Sequence, residues 1–242
     1  MMNFCDIKLK DDPSLISRRM IRLGNTSESN GIRIMSWNIC SEALAIHYDR
    51  FDTISADDLH WSKRVWKIVV EVLSYSPIDI ICMQETNQVV LCSTFKHIES
   101  GREVCVATTH LKARRGPILS VFRNEQGKDL MKYLAKKAKN IPLVLSGDFN
   151  AEPNESVYKT ITSQMVSAYK EGLKDEPIFT TWTKRQSEKE LKRTLDYIFF
   201  TKNHFKVTAI VSPESQQLTK PMPNGNYPSD HLSLITHLNF IN

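Results

Sequence analysis

Pro142-Leu143-Val144-Leu145-Ser146-Gly147-Asp148-Phe149-Asn150 is the stretch whose reading decides the fold. Its run is apolar up to Ser146, the make-up of a short buried strand. Gly147 permits a sharp turn there, and Phe149 can anchor back into the core. Asp148 and Asn150 then project on the same side, because alternate residues share a face. A carboxylate beside an amide suits a phosphate under attack. The Asp can orient a nucleophile or protonate a leaving oxygen, and the Asn can donate to a non-bridging oxygen. The competing reading is an Asx turn with no chemistry.

Five more polar words border apolar runs in the same way: Trp37-Asn38, Gln84-Glu85, Thr109-His110, Leu195-Asp196-Tyr197 and Ser229-Asp230-His231. The first three follow Ile32 to Met35, Ile78 to Met83 and Val104 to Ala107; the last two lead into Ile198 to Phe200 and Leu232 to Leu238. Strand ends are where side chains leave the core, so six such words can converge on one rim. Asp230 and His231 offer a metal ligand and a base, and Asp196 can accept the other ring N–H of His231. Glu85 directly follows a run that reads as a strand covered on both faces, and a Glu in such a place is paired, metal-bound or simply solvated. Asn38 can likewise hydrogen-bond a turn. Taken one at a time these are ordinary turns. Together they form the hard-oxygen and histidine set of a divalent-metal phosphate-cleaving site.

Basic residues gather at Lys112-Ala113-Arg114-Arg115, directly after His110, and at Thr183-Lys184-Arg185, with Lys192-Arg193 close behind. Each run suits a solvated face, but a guanidinium at the rim can grip phosphate bidentately. Rival chemistries lack their signatures. No G-x-S-x-G elbow, P-loop or G-x-G-x-x-G occurs, and His47, His60, His97, His204 and His237 have no zinc spacing.

The chain has 242 residues, 41% hydrophobic and 24% charged, enough for one large soluble domain. Its net charge of +5 suits an anionic partner without demanding one. Five cysteines, with no C-x-x-C spacing, read as reduced and largely buried thiols in a reducing compartment, which points to the cytoplasm. No apolar run approaches the roughly 18 residues of a membrane span. Residues 1–30 read as a flexible segment and 31–242 as the domain. Helices are expected over 57–75, 122–139 and 154–163. In the first, Val65, Ile68, Val69, Val72 and Leu73 share a face, with Lys63, Arg64, Lys67 and Glu71 largely elsewhere. Val89 to Phe95 and Glu103 to Thr109 flank Glu99-Ser100-Gly101-Arg102, a hairpin signal.

In this order, Trp-Asn, Gln-Glu, Gly-Asp-Phe-Asn, Leu-Asp-Tyr and Ser-Asp-His resemble the exonuclease–endonuclease–phosphatase family, over about Ile32 to Phe240. The phrases Thr109-His110-Leu111-Lys112-Ala113-Arg114 and Asn226-Tyr227-Pro228-Ser229-Asp230-His231 place the likeness in the deadenylase-like branch. The resemblance implies an α/β (α+β) fold: a four-layer αββα sandwich of two mixed sheets flanked by helices. It implies magnesium held by Glu85 with Asn38 and Asp230. His110 and Asn150 contact the scissile phosphate, Asp148 activates or protonates, and His231 works with Asp196 behind it. Lys112, Arg114 and Arg185 match phosphate-gripping residues. The implied reaction is removal of the 2′-phosphate of NADP(H) to give NAD(H), with a 3′→5′ poly(A) ribonuclease acting on RNA as the alternative. The resemblance also allows a mitochondrial location for other isoforms of the family.

One departure stands out. In relatives a long stretch separates the Gln-Glu and Thr-His-Leu words; here 24 residues lie between Glu85 and His110. Some tens of residues are missing, as after an internal splice. Lost strands, exposed sheet edges and a depleted pocket are the expected consequences. A second alternative follows: a shortened chain of weak activity that acts through protein contacts.

Overall fold

The computed structural model describes residues 16–24, 30–85, 90–186, 188–214 and 217–241. One sheet runs in the order β1 (Met20–Arg22), β11 (Phe205–Val211), β12 (Leu234–Phe240), β2 (Gly31–Asn38) and β3 (Ile80–Gln84). The other runs β4 (Val90–Lys96), β5 (Glu103–His110), β6 (Leu143–Asp148), β10 (Asp196–Phe200) and β7 (Val166–Ser167). A ribbon of β8 (Thr181–Thr183) and β9 (Leu191–Arg193) stands apart. The helices are α1 (Glu42–Leu44), α2 (Trp61–Ser74), α3 (Pro117–Ala138), α4 (Ser156–Thr162) and α5 (Ala168–Leu173). No helix among the described residues is long and apolar enough to cross a membrane.

Side-chain alternation builds the layers. Ile32, Ile34, Val104, Val106, Val144, Ile198, Phe200, Leu234 and Leu238 form the seam between the sheets. The opposite faces carry Met35, Trp37 and Ile235 under Ile68 of α2. They also carry Ala107, Leu143, Leu145 and Phe199 against Leu130 and Leu134 of α3 and Val157 and Ile161 of α4. Three apolar layers between four layers of structure give the expected αββα sandwich.

Two parallel pairs organise the rim. β2 pairs with β3 across the α2 crossover, and β5 pairs with β6 across α3, so each pair ends on one side of its sheet. Register sets Asn38 opposite Gln84 and His110 opposite Asp148. Antiparallel β10 begins where β6 ends, with Asp196 opposite Asp148.

Several expectations need correction. Residues 1–30 are not uniformly a linker: β1 pairs with β11, Ile16 and Arg18 are buried, and Arg18 Nη2 pairs with Glu71 Oε1 at 2.5 Å. Arg64 and Glu71 do not face water from α2. Both are buried, because Arg64 meets four backbone carbonyls and Glu71 meets Arg18, Tyr227 and Ser233. α3 starts at Pro117 rather than 122, with proline in the first turn where no N–H is needed. Cys40, Cys82, Cys92 and Cys105 are free thiols, three of them buried and Cys92 half-buried; Cys5 lies outside the described residues.

The run 78–83 is not covered on both sides. β3 is an edge strand, and Ile81 is 41% exposed. β4 is the edge of the other sheet and is exposed along nearly its whole length, Leu91 at 55% and Phe95 at 43%. Residues 86–89, which join them, lie outside the described residues. The open edges thus flank the interval where the sequence reading expects missing residues. Leu145, fully buried, and Leu91 give a contrast. Leu145→Ala should cost about 2–5 kcal/mol in urea unfolding. Leu91→Lys should stay within about 0.5 kcal/mol and lower self-association in light scattering. A large loss from Leu91→Lys would mean that β4 is covered in solution.

Candidate active site

Gly147 sits inside β6 with φ +144, and a Cβ there would lie 2.0 Å from the Thr109 carbonyl oxygen. The glycine is needed for the close approach of β5, not only for the turn after the strand. That approach brings His110 Nε2 to 3.4 Å from Asp148 Oδ2. Asn38 Nδ2 donates to the same oxygen at 3.1 Å, and His231 Nε2 stands 3.8 Å away. Asp148 Oδ1 accepts from the Asn150 backbone N–H at 2.8 Å, so the Asx turn forms as well. The Asn150 side chain donates to the Leu111 carbonyl at 3.1 Å.

His231 is held from behind. Its Nδ1 meets Asp196 Oδ2 at 2.9 Å, and Thr180 Oγ1 donates to that oxygen at 2.5 Å. Thr180 Oγ1 itself accepts from the N–H groups of Leu195 and Asp196, at 2.9 and 3.1 Å. Trp37 Nε1 donates to the His231 carbonyl, and Ser229 Oγ accepts from its N–H. Burial works against the imidazolium, but the carboxylates of Asp196, Asp230 and Asp148 outweigh it and raise His231 well above the ordinary histidine range.

The other side of the site is acidic. Glu85 lies in the left-handed region, φ +68, where a non-glycine residue is strained. Its Oε1 accepts from Asn38 Nδ2 at 3.2 Å, and its Oε2 accepts from the Ser41 N–H. Asp230 Oδ2 pairs with Arg185 Nη2 at 3.3 Å, and Arg185 Nε donates to Asp49 Oδ1 at 3.0 Å. Burial pushes the Asp49 carboxyl up to about 6, and the charges of Asp230 and Glu85 outdo part of the opposing pull of Arg185. Such an accumulation of oxygen charge fits a divalent cation. Asp148, Asp196 and His231 also offer ligand atoms within 4.8 Å of one another, but there Asp196 and His231 Nδ1 already satisfy each other.

The expected residues of the six words therefore come together, with Arg185 beside them. Lys112 and Arg114 do not join them through their side chains, which are exposed. Their carbonyls are clamped by buried Arg123, at 3.2 and 2.8 Å. Thr180, Asp49 and Arg64 were not legible as site residues. Arg64 donates to the carbonyls of Leu59, Ile39, Cys40 and Pro228, tying the segment after Asn38 to the one before Ser229.

Residues 35–231 match the family described as Endonuclease/Exonuclease/phosphatase. The chain belongs to that family. It is 30% identical to nocturnin of Xenopus laevis, covering 99% of this chain and 81% of that protein. That alignment spans 319 positions against 242 residues, so the frog protein carries residues with no counterpart here. The solved human nocturnin catalytic domain, with bound sulfate, superposes with a TM-score of 0.68 at 29% identity, covering 93% of this chain and 98% of that one. ANGEL2, a 2′,3′-cyclic phosphatase in complex with adenosine-2′,3′-vanadate, shares the fold at TM-score 0.71 and 18% identity, covering 93% of this chain and 99% of its own. The chain is thus a phosphoester hydrolase of this family.

Two measurements check the supporting shell. Arg64→Met should cost at least about 3 kcal/mol in urea unfolding by stranding buried carbonyls, with Arg64→Lys restoring only part. For Asp49 the folded carboxyl holds its proton more tightly than the unfolded one, near 3.9. Stability is therefore lost as pH rises from there through about 6. In metal-free buffer Asp49→Asn should raise Tm at pH 7 and leave it unchanged below pH 4. A Tm difference independent of pH would refute the assignment.

Proposed function

We propose that the chain is a magnesium-dependent phosphatase that removes the 2′-phosphate of NADP(H) to give NAD(H). The observation that carries the reading is the convergence of His110, His231 and Asn38 on one oxygen of Asp148, with Glu85 and Asp230 on the acidic flank and Arg185 bonded to Asp230 there. The nocturnin likeness supports the dinucleotide.

Magnesium would be held by Glu85, Asn38 and Asp230; when bound it supplies positive charge beside the phosphoryl oxygens. Asp148 Oδ2 takes a proton from the attacking water. Asn38 and His110 hold that carboxylate in place. His231, kept protonated by Asp196, donates from Nε2 to the departing ribose oxygen as the P–O bond breaks. Thr180 fixes Asp196, and through it the imidazole. Asn150 donates to a non-bridging oxygen once it leaves the Leu111 carbonyl. Arg185 turns from Asp49 to the phosphate, with Lys112 and Arg114 on the loop above.

The purified chain should release phosphate from NADP with magnesium and none in chelator. Asp148→Asn and His231→Gln should each lower kcat by about 10²–10⁴. As the acid, His231 needs its proton, so activity falls as pH rises through its raised value. Asp196→Asn should move that fall to lower pH. Trimming of an adenosine oligonucleotide without phosphate release from NADP would replace this reading with the 3′→5′ ribonuclease. A cooperative melt with neither activity would leave only protein contacts.

A further inference from the structure

Cys92 and Cys105 serve neither the hydrolytic chemistry nor the support of the site. Their sulfurs lie 3.4 Å apart, across the β4–β5 pair. Register explains the contact. Cys92 stands opposite Ala107 and Thr94 opposite Cys105, so the two cysteines are diagonal neighbours on one face of the sheet. Cys105 is buried in the core under α3, in one cluster with Leu134 and Ala138. Cys92 packs against that cluster and is half-buried, whereas the other six residues of β4 are exposed. Both are free thiols. Cys40 and Cys82 are buried too, but they belong to the other sheet, after β2 and in β3.

The pair is placed to bond. The sulfurs have to close from 3.4 Å to the roughly 2.05 Å of a disulfide, and diagonal cross-strand cysteines need some shift of the backbone to do so. β4 can make that shift, because it is an edge strand bonded to β5 alone. The two sulfurs are not equivalent: solvent reaches Cys92, while Cys105 is 1% exposed. Burial, then the hydrogen bond and charge of Cys92, push the Cys105 thiol up to about 12, against the opposing pull of Thr94 and Lys137. A small oxidant therefore meets Cys92 first.

We propose that Cys92 and Cys105 form a peroxide-reactive modification site, in which Cys92 is oxidised first and Cys105 closes a disulfide that staples β4 to β5. The oxidant is hydrogen peroxide. The Cys92 thiolate attacks one peroxide oxygen. An S–O bond forms, the O–O bond breaks, and the departing hydroxide takes up the thiol proton as water, leaving a sulfenic acid. The sulfur of Cys105 then attacks that of Cys92. The S–S bond forms, the S–O bond breaks, and hydroxide leaves with the Cys105 proton as a second water. Two thiols lose two electrons and two protons, and one peroxide becomes two waters. Once Cys92 is a neutral sulfenic acid its charge no longer opposes ionisation of Cys105, while Thr94 and Lys137 still favour the thiolate. The bridge joins an exposed edge strand to one bonded on both sides, and it forms whatever substrate the rim takes.

The test starts from the fully reduced whole chain, treated with equimolar hydrogen peroxide near neutral pH. Intact mass should fall by two hydrogens, and digestion without reductant should yield one peptide pair joined through Cys92 and Cys105. Cys92 should react at least about tenfold faster than Cys40 and Cys82, and dithiothreitol should restore every thiol. Cys105→Ser should leave Cys92 as a sulfenic acid, captured by dimedone. Cys92→Ser, on the edge strand, should leave Cys105 reduced at the same dose, and it supplies the readout should the Cys105 variant fail to fold. In hydrogen exchange, the β4 amides of the bridged chain should slow by about tenfold or more. A bridge from Cys92 to Cys5 or to a second chain overturns the pair, as does oxidation of Cys92 beyond the sulfenic acid while Cys105 stays free. Unchanged exchange on β4 in a bridged chain overturns the staple.

Discussion

The site depends on two strands lying closer than any side chain would allow. A Cβ on Gly147 would lie 2.0 Å from the Thr109 carbonyl oxygen, so hydrogen alone fits there. Because β5 and β6 meet at that distance, His110 and Asp148 are neighbours in register and also partners in space. The antiparallel entry of β10 then sets Asp196 across from Asp148, and Asp196 orients His231 from β12's approach. One close contact thus fixes the spacing of four ionisable groups. The same strands bury Val144, Leu145 and Ile198, so the seam that stabilises the sandwich also sets the geometry of its rim.

Much of this was legible in the residues. The short apolar runs Ile32 to Met35 and Leu143 to Leu145 announced strands, and the polar words at their ends marked the rim. What escaped had no local signature. Thr180 acts on Asp196 from 16 residues away and resembles any strand-flanking threonine. Asp49 lies in a helical loop, with nothing in its neighbours to tie it to Arg185, 136 residues later. Arg64 and Glu71 were set off the apolar face of α2, and their burial went unread, because helical periodicity sorts by polarity. It cannot see that a guanidinium finds four carbonyls, or that a carboxylate finds Arg18 and Tyr227.

The two ionisable groupings divide the chemistry by their existing bonds. Asp196 and His231 are closed on each other and on Thr180, an arrangement that stores and aims a proton. Glu85 accepts from Asn38 and the Ser41 N–H, and Asp230 from Arg185, bonds from neutral groups and one mobile side chain that yield to a stronger cation. Asp148 belongs to both, through Asn38 on one side and the two histidines on the other. A carboxylate shared in this way couples the charge state of one half of the site to that of the other.

The open strands β3 and β4 divide the molecule into two tiers of local stability. Amides on β4 are held by β5 alone, along a strand exposed for most of its length, and should open to exchange without global unfolding. Asn38, His110, Asp148, Asp196 and His231 belong to, or directly precede, strands bonded on both sides, and so ride on the resistant tier. Glu85 alone among them hangs from an edge strand. Fraying at that edge would reach the acidic flank of the site first and leave the histidine–carboxylate pair standing. Glu85 is thus the site residue most exposed to local unfolding.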